Sequence, residues 1–175
     1  YDLLSLNLGS TLNPPATAAA NVLSMRPLAR LQEAWDGLLQ RWQLDADDAP
    51  YRVTAVGGGA AGFESLLAVL ARLRALRPQR RVTGCLASRG NALLPGVSPA
   101  AVRAAQHALA QAGVSLELGT PWSETLAARS DLVLWATGAE AHAWQSDAQR
   151  RGGLAVSERG FIRVDPNLRS VSHPQ

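Results

Sequence analysis

The chain has 175 residues, 47% of them hydrophobic and 18% charged, with a formal net charge of +3. It is about one domain long with enough apolar content to bury a core, which excludes global disorder; no apolar run reaches the roughly 20 residues of a membrane span, and no signal-peptide layout opens it, so the expected location is cytoplasmic. The single cysteine, Cys85, excludes an internal disulfide framework, a CxxC redox pair and a cysteine-rich metal site.

All the basic side chains are arginine, so the charge alone argues weakly for nucleic acid. Its distribution says more. No acid falls between Glu64 and Glu117, whereas Arg72, Arg74, Arg77, Arg80, Arg81, Arg89 and Arg103 all do. A locally cationic half suits a polyphosphate ligand, although arginines alternating with leucines over 71–77 equally fit the solvated face of an amphipathic helix.

In chain order, YDLLSLNL (1–8) reads as a short strand running into a Gly9-Ser10 turn. A chain that starts almost inside a strand, without methionine, reads as a piece of a longer protein. Residues 11–21 are small and polar and read as a loop. From Pro27 onward Leu28, Leu31, Trp35, Leu38, Leu39 and Trp42 recur at three- and four-residue spacing, which predicts a helix whose tryptophans pack in a core or interface. An acidic loop, 45–50, leads to an apolar run at 53–56, a glycine turn, and a helix reaching toward Pro78. Residues 80–87 read as a second strand with Cys85 as a small buried hydrophobe. Residues 98–113 read as a helix closed by Gly113, 114–118 as a third strand and 131–136 as a fourth. Strands alternating with helices imply an α/β, Rossmann-like three-layer fold with a parallel sheet and right-handed crossovers. Residues 139–151 read as loop or short helix, 154–164 as a small β-hairpin or meander around SERG, and PNLRSVSHPQ (166–175) as extended.

The organising stretch is Gly57-x-Gly59-x-x-Gly62 between the first apolar strand and its helix. In that setting the first glycine permits a sharp turn, the second lets backbone approach a pyrophosphate, and the third lets the helix pack closely on the sheet. Amides of Gly58, Ala60 and Ala61 join them at the positive end of the helix dipole. A glycine turn that binds nothing is the alternative.

These residues resemble the pyridine nucleotide-disulfide oxidoreductase superfamily, through GGGAAGFE (57–64), LLPG (93–96), DLVLWATG (131–138) and GFIRVDPNLRS (160–170), with YDLLSLNLGS (1–10) similar to its first ATG strand in modified form. More narrowly, the chain is similar to type II NADH dehydrogenase-like proteins and to the flavoprotein module fused to some selenide, water dikinases. The resemblance implies an NAD(P)-binding Rossmann-like core over 26–138, with 1–25 as a strand and connector of an FAD-binding domain and 139–175 as a return segment toward it. It implies FAD in the parent protein, NADP or NAD on this portion, hydride transfer from nicotinamide to flavin, and no activity for this portion alone. Partners are then the nucleotide and the FAD-binding remainder, with no nucleic acid; a homodimer stays open. In the family's pattern Glu64 lies near the nicotinamide, and Thr137 and Gly138 match the turn where the two domains meet. An acid in a helix's first turn is also favourable for the dipole alone.

One departure bears on the nucleotide. An NAD site places a carboxylate at the end of the second strand to accept from the ribose hydroxyls, and here Ser88 and Arg89 stand instead. A hydroxyl donor and a guanidinium suit a 2′-phosphate, which favours NADP. The alternatives are an Arg89 that is simply solvated and a site that has lost its nucleotide. Two other functions are compatible with parts of the pattern: a Rossmann-like interaction module presenting arginines to RNA or protein, and an S-adenosylmethionine-dependent methyltransferase. His107, His142 and His173 share no spacing that suggests a metal or a triad.

Overall fold

The computed structural model describes residues 2–12, 14 and 21–173. Contacts divide the chain into two compact units, Pro14–Gly138 on the one hand and Tyr1–Asn13 with Ala139–Gln175 on the other.

The larger unit contains β1 (Val22–Ser24), α1 (Leu28–Leu44), β2 (Tyr51–Val56), α2 (Ala60–Leu76), β3 (Val82–Ser88), α3 (Pro99–Gln111), β4 (Val114–Leu118), α4 (Glu124–Ala128) and β5 (Leu132–Trp135). Its strands form one sheet in the order β1-β5-β2-β3-β4, parallel at every pairing. Three crossovers, through α1, α2 and α3, step one way across the sheet, while the α4 crossover steps back. Right-handed connections therefore put α1, α2 and α3 on one face and α4 on the other. The fold is α/β, Rossmann-like and three-layered.

The central strands are apolar on both sides because both faces are covered. Val53, Ala55, Leu86, Leu132 and Leu134 face the main core with Leu66, Leu70 and Leu73 of α2. On the far face Thr54, Cys85 and Val133 are also fully buried. There Thr54 and Ser130 share a 2.7 Å hydroxyl contact, and Ser130 donates to the Leu126 carbonyl of α4. Gly84 is where α2 approaches β3: a Cβ there would stand 2.6 Å from a Leu70 methyl.

Two short elements were not anticipated from the sequence. β1 has three residues, too few to show a period, and forms because β5 supplies its partner: the Val133 N–H donates to the Asn21 carbonyl and the Met25 N–H to the Trp135 carbonyl. α4 is a single capped turn and a half, with Ser123 accepting from the Leu126 N–H. α1 follows its predicted course, burying Leu38 and Trp42, but Leu28 at its start is exposed. β3 begins at Val82 because the Arg80 N–H closes a turn onto the Arg77 carbonyl.

In the smaller unit α5 (Ala143–Ser146) is the one named helix among the described residues. The hairpin around SERG consists of the antiparallel bridge Val156↔Ile162, followed by Val164↔Ser170. Two sequence expectations fail here. Residues 2–8 form no strand: Leu3, Leu4, Leu6 and Leu8 are exposed, and pairing begins only at Thr11, bridged to Glu140; Tyr1 lies outside the described residues. The segment from Pro166 to His173 is turned and not extended, because the Asp165 carboxylate accepts from the Asn167 and Arg169 amides and Leu168 takes φ +64°. Pro174 and Gln175 lie outside the described residues.

Candidate functional site

β2 ends at Val56 and the chain leaves it through Gly57, at φ +130°. An L side chain is strained at that φ, and a Cβ would stand 2.3 Å from the Ala136 carbonyl oxygen. The Gly57 N–H donates to the Ala87 carbonyl of β3, and the Ala136 N–H to the Val56 carbonyl. The ends of three adjacent strands, β5, β2 and β3, thus meet at this residue. In open α/β sheets the crevice beyond the carboxyl ends of the strands is where ligands bind.

The other glycines differ in what constrains them. At Gly62, in the first turn of α2, a Cβ would stand 2.0 Å from the Gly57 carbonyl oxygen, so the helix closes onto its own turn only with glycine. At Gly58, which is buried, a Cβ would meet Ser88 Oγ at 2.8 Å. Gly59 is unlike these: its φ of −84° is open to any residue, and a Cβ there would find no atom within 4 Å. It is the N-cap of α2, and no side chain caps that end, whereas Ser98 and Ser123 cap α3 and α4. The space above Gly59, beside exposed Ala60 and Ala61, is open.

Ser88, the last residue of β3, is buried with its Oγ accepting from the Gly90 N–H at 3.2 Å, which leaves the hydroxyl proton to donate. Arg89 is exposed and enters no ion pair among the described residues. Thr137 is half-buried at the exit of β5 with its nitrogen beside Gly57, and Gly138 is exposed. Glu64 is exposed, but it is the fifth residue of α2 and not in the first turn, so the dipole alone does not account for it.

Two participants were not singled out from the sequence. Leu94, at φ +50°, donates its N–H to the Gly58 carbonyl at 2.7 Å and pins the loop after β3 against the glycine turn. The Thr120 and Gly119 amides donate to the Ser88 and Gly90 carbonyls, tying the end of β4 to the same place. Only the LLPG match signalled the first of these.

The arginine run is redistributed by the fold. Arg74 donates to the Val82 and Ala112 carbonyls, while Arg77 and Arg80 are buried against the loop after α1. All three belong to the far end of α2 from the glycine turn, a helix about 25 Å long. They do not supply the expected cationic setting for a polyphosphate.

No family model matches the sequence, and no curated protein matches it. Solved structures do match in fold. Over 95% of this chain the reduced Bacillus anthracis CoADR-RHD aligns with a TM-score of 0.64 at 17% identity. The HOCl-induced flavoprotein disulfide reductase RclA from Escherichia coli aligns over 96% with a TM-score of 0.63 at 18% identity, and NDH2 from Plasmodium falciparum, in complex with NADH, over 95% with 0.63 at 13%. The chain has the fold of a segment of these proteins. It spans 29%, 37% and 40% of their respective lengths. The likeness drawn from the glycine turn and the strand-end motifs therefore extends to the three-dimensional arrangement.

Proposed function

We propose that this chain is the NAD(P)H-binding portion of an FAD-dependent oxidoreductase, positioning the nicotinamide for hydride transfer to a flavin held by another part of the parent protein. The observation that carries the reading is Gly59. Packing within the chain explains Gly57, Gly58 and Gly62, whereas nothing internal requires a glycine at 59. A pyrophosphate lying against the uncapped first turn of α2 supplies the missing reason: it needs backbone approach and accepts from the amides of Ala60, Ala61 and Gly62.

On this reading Ser88 and Arg89 receive the adenosine ribose, with Arg89 pairing a 2′-phosphate and the Ser88 hydroxyl donating to it. Thr137, Gly138 and Glu64 line the course toward the nicotinamide. The cofactors supply the hydride chemistry, and these residues bind and orient. The hydrogen bonds of Arg74, Arg77 and Arg80 weaken the alternative of an arginine-rich surface for RNA or protein, since those three guanidinia are committed internally.

The test is calorimetric titration with NADPH and NADH at one salt concentration, repeated with Arg89→Ala. Tighter NADPH binding that falls about tenfold in the variant, with NADH unchanged, is expected for one charge-assisted phosphate contact. Binding of neither nucleotide would overturn the reading.

A further inference from the structure

At the carboxyl ends of the strands stands one aromatic side chain that the site as described does not use. Leu132 and Leu134 of β5 face the main core, so Val133 and Trp135, which alternate with them, face the α4 side of the sheet. Trp135 ends β5, in register with Val56 and next to Ala136, whose carbonyl oxygen leaves no room for a Cβ at Gly57. Against its ring stands Trp122, with 5.4 Å between centroids and 90° between planes. Trp135 is 7% exposed, whereas Trp122 is only half-buried. Of the pair, Trp122 is the ring with surface to offer.

Trp122 reaches this place from the end of β3. The Gly119 and Thr120 amides donate to the Gly90 and Ser88 carbonyls, and Trp122 follows Thr120 by two residues, at most about 7 Å of chain. Since β2 lies between β3 and β5, the 119–122 loop runs from Ser88 to Trp135 past the end of β2, on the face away from α2. The crevice at the strand ends therefore has two walls. The glycine turn with Leu94 forms one, on the side of α2, and the Trp122 ring forms the other, on the side of α4. Those two backbone bonds hold the loop before the ring, and the Ser123 cap of α4 holds it after. A platform fixed on both sides loses little freedom when a ligand settles on it.

We propose that Trp122 is the platform on which the adenine of the nucleotide stacks. The inference rests on the function proposed above and adds to it the residue that takes the base. With the pyrophosphate on the glycine turn and the ribose at Ser88 and Arg89, the base lies one glycosidic bond beyond Ser88, and the 119–122 loop is the wall it meets there. A nucleobase offers a π-face that an aromatic side chain receives without any hydrogen-bonding partner. Trp122 touches no reacting atom in this arrangement; it is a positioning residue, anchoring the end of the nucleotide remote from the nicotinamide.

The experiment titrates the 175-residue chain with NADPH and NADH, and repeats this with Trp122→Phe and Trp122→Leu. For each nucleotide that binds, the phenylalanine variant is expected to stay within about threefold of the unaltered chain, and the leucine variant, which fills the place beside Trp135 without a flat ring, to be about tenfold weaker. In the saturated complex of the unaltered chain, nuclear Overhauser contacts are expected between the Trp122 ring protons and adenine H2 or H8. Equal binding by the unaltered chain and a folded Trp122→Leu, or a saturated complex without those contacts, overturns the role of Trp122 and leaves the proposed function standing. Equal losses in the phenylalanine and leucine variants also overturn it, because they mark a merely structural residue. Failure of both nucleotides to bind the unaltered chain overturns both readings together. The contacts in the unaltered complex decide the question even where a variant fails to fold.

Discussion

The guanidinium of Arg80 lies 4.5 Å from the centroid of the Trp42 ring and 5.2 Å from that of Tyr51. Arg77 approaches the same indole at 5.4 Å, and Tyr51 meets it edge-on at 4.8 Å. With Arg80 Nε donating to the Ala49 carbonyl and Nη1 to Asp45, this stack clamps the 45–50 loop between the ends of α1 and α2. Arg77, which the sequence places on a solvated face, is with Arg80 an interior part of the fold.

Arg80→Ala should destabilise the chain by about 2–4 kcal/mol, from lost cation–π contact, lost hydrogen bonds and a cavity beside Trp42. Arg80→Lys should recover little, because an ammonium cannot stack flat while donating to both Ala49 and Asp45. Urea melts of the three proteins check this; a fully stable lysine variant contradicts it.

The same clamp predicts an acid response. The Asp47 N–H first, and the Arg80 side chain second, hold the Asp45 carboxyl below its ordinary pKa. A folded-state pKa below the unfolded value adds stability above the unfolded value, and that stability is lost as pH falls through the folded one. Stability should therefore decline below about pH 4, and Asp45→Asn should remove part of that slope. Melting temperatures of both proteins from pH 6 to pH 2 measure it; identical slopes contradict it.

Gly59 and Gly62 should separate binding from folding. Gly62→Ala drives a Cβ into the Gly57 carbonyl and should cost about 2–4 kcal/mol. Gly59→Ala should change stability by less than about 1 kcal/mol, since its backbone is ordinary and its surroundings empty, and the chain-entropy gain is offset by alanine's poorer fit at an N-cap. On the proposed function that variant should nonetheless weaken NADPH by about tenfold or more. Unaltered binding by a stable Gly59→Ala protein counts against pyrophosphate contact at the turn.

Cys85 should be inert in the folded chain. It is fully buried, and burial pushes its thiol pKa up, only partly opposed by the hydrogen bonds of Ser115 and Arg52. Thiol-reagent labelling at pH 8 should be slow in buffer and accelerate in urea in step with unfolding. Native-state labelling at the rate of a free thiol contradicts this.

How far the sequence could be read depended on the length of each pattern. β2, its glycine turn and α2 were legible because a buried strand, a helix without internal Gly or Pro beyond Gly62, and the breaks between them each leave local marks. β4 was legible to the residue, since Gly113 and Gly119, both at positive φ, punctuate it. β1 was not: Val22–Ser24 is a strand only because β5 lies beside it. At the candidate site the glycines are marked by their spacing and Ser88 by its place at the end of the second strand. The LLPG match pointed to the loop that holds Leu94 but not to its contact, and Thr120 went unmarked, because backbone amides aimed at Gly58 and Ser88 leave no trace in side-chain identity.

By itself the sequence determined the α/β class, the parallel sheet and the place of the glycine turn, because hydrophobic period and glycine conformational freedom are local properties. Only the tertiary structure decided which charges are free. Arg80 and Arg89 are indistinguishable as letters, yet one is buried on Trp42 and the other exposed at the end of β3. It also decided which glycines of the turn the fold itself requires, because the room for a Cβ is set by atoms distant in sequence: the Ala136 carbonyl at Gly57, Ser88 at Gly58, and nothing at Gly59.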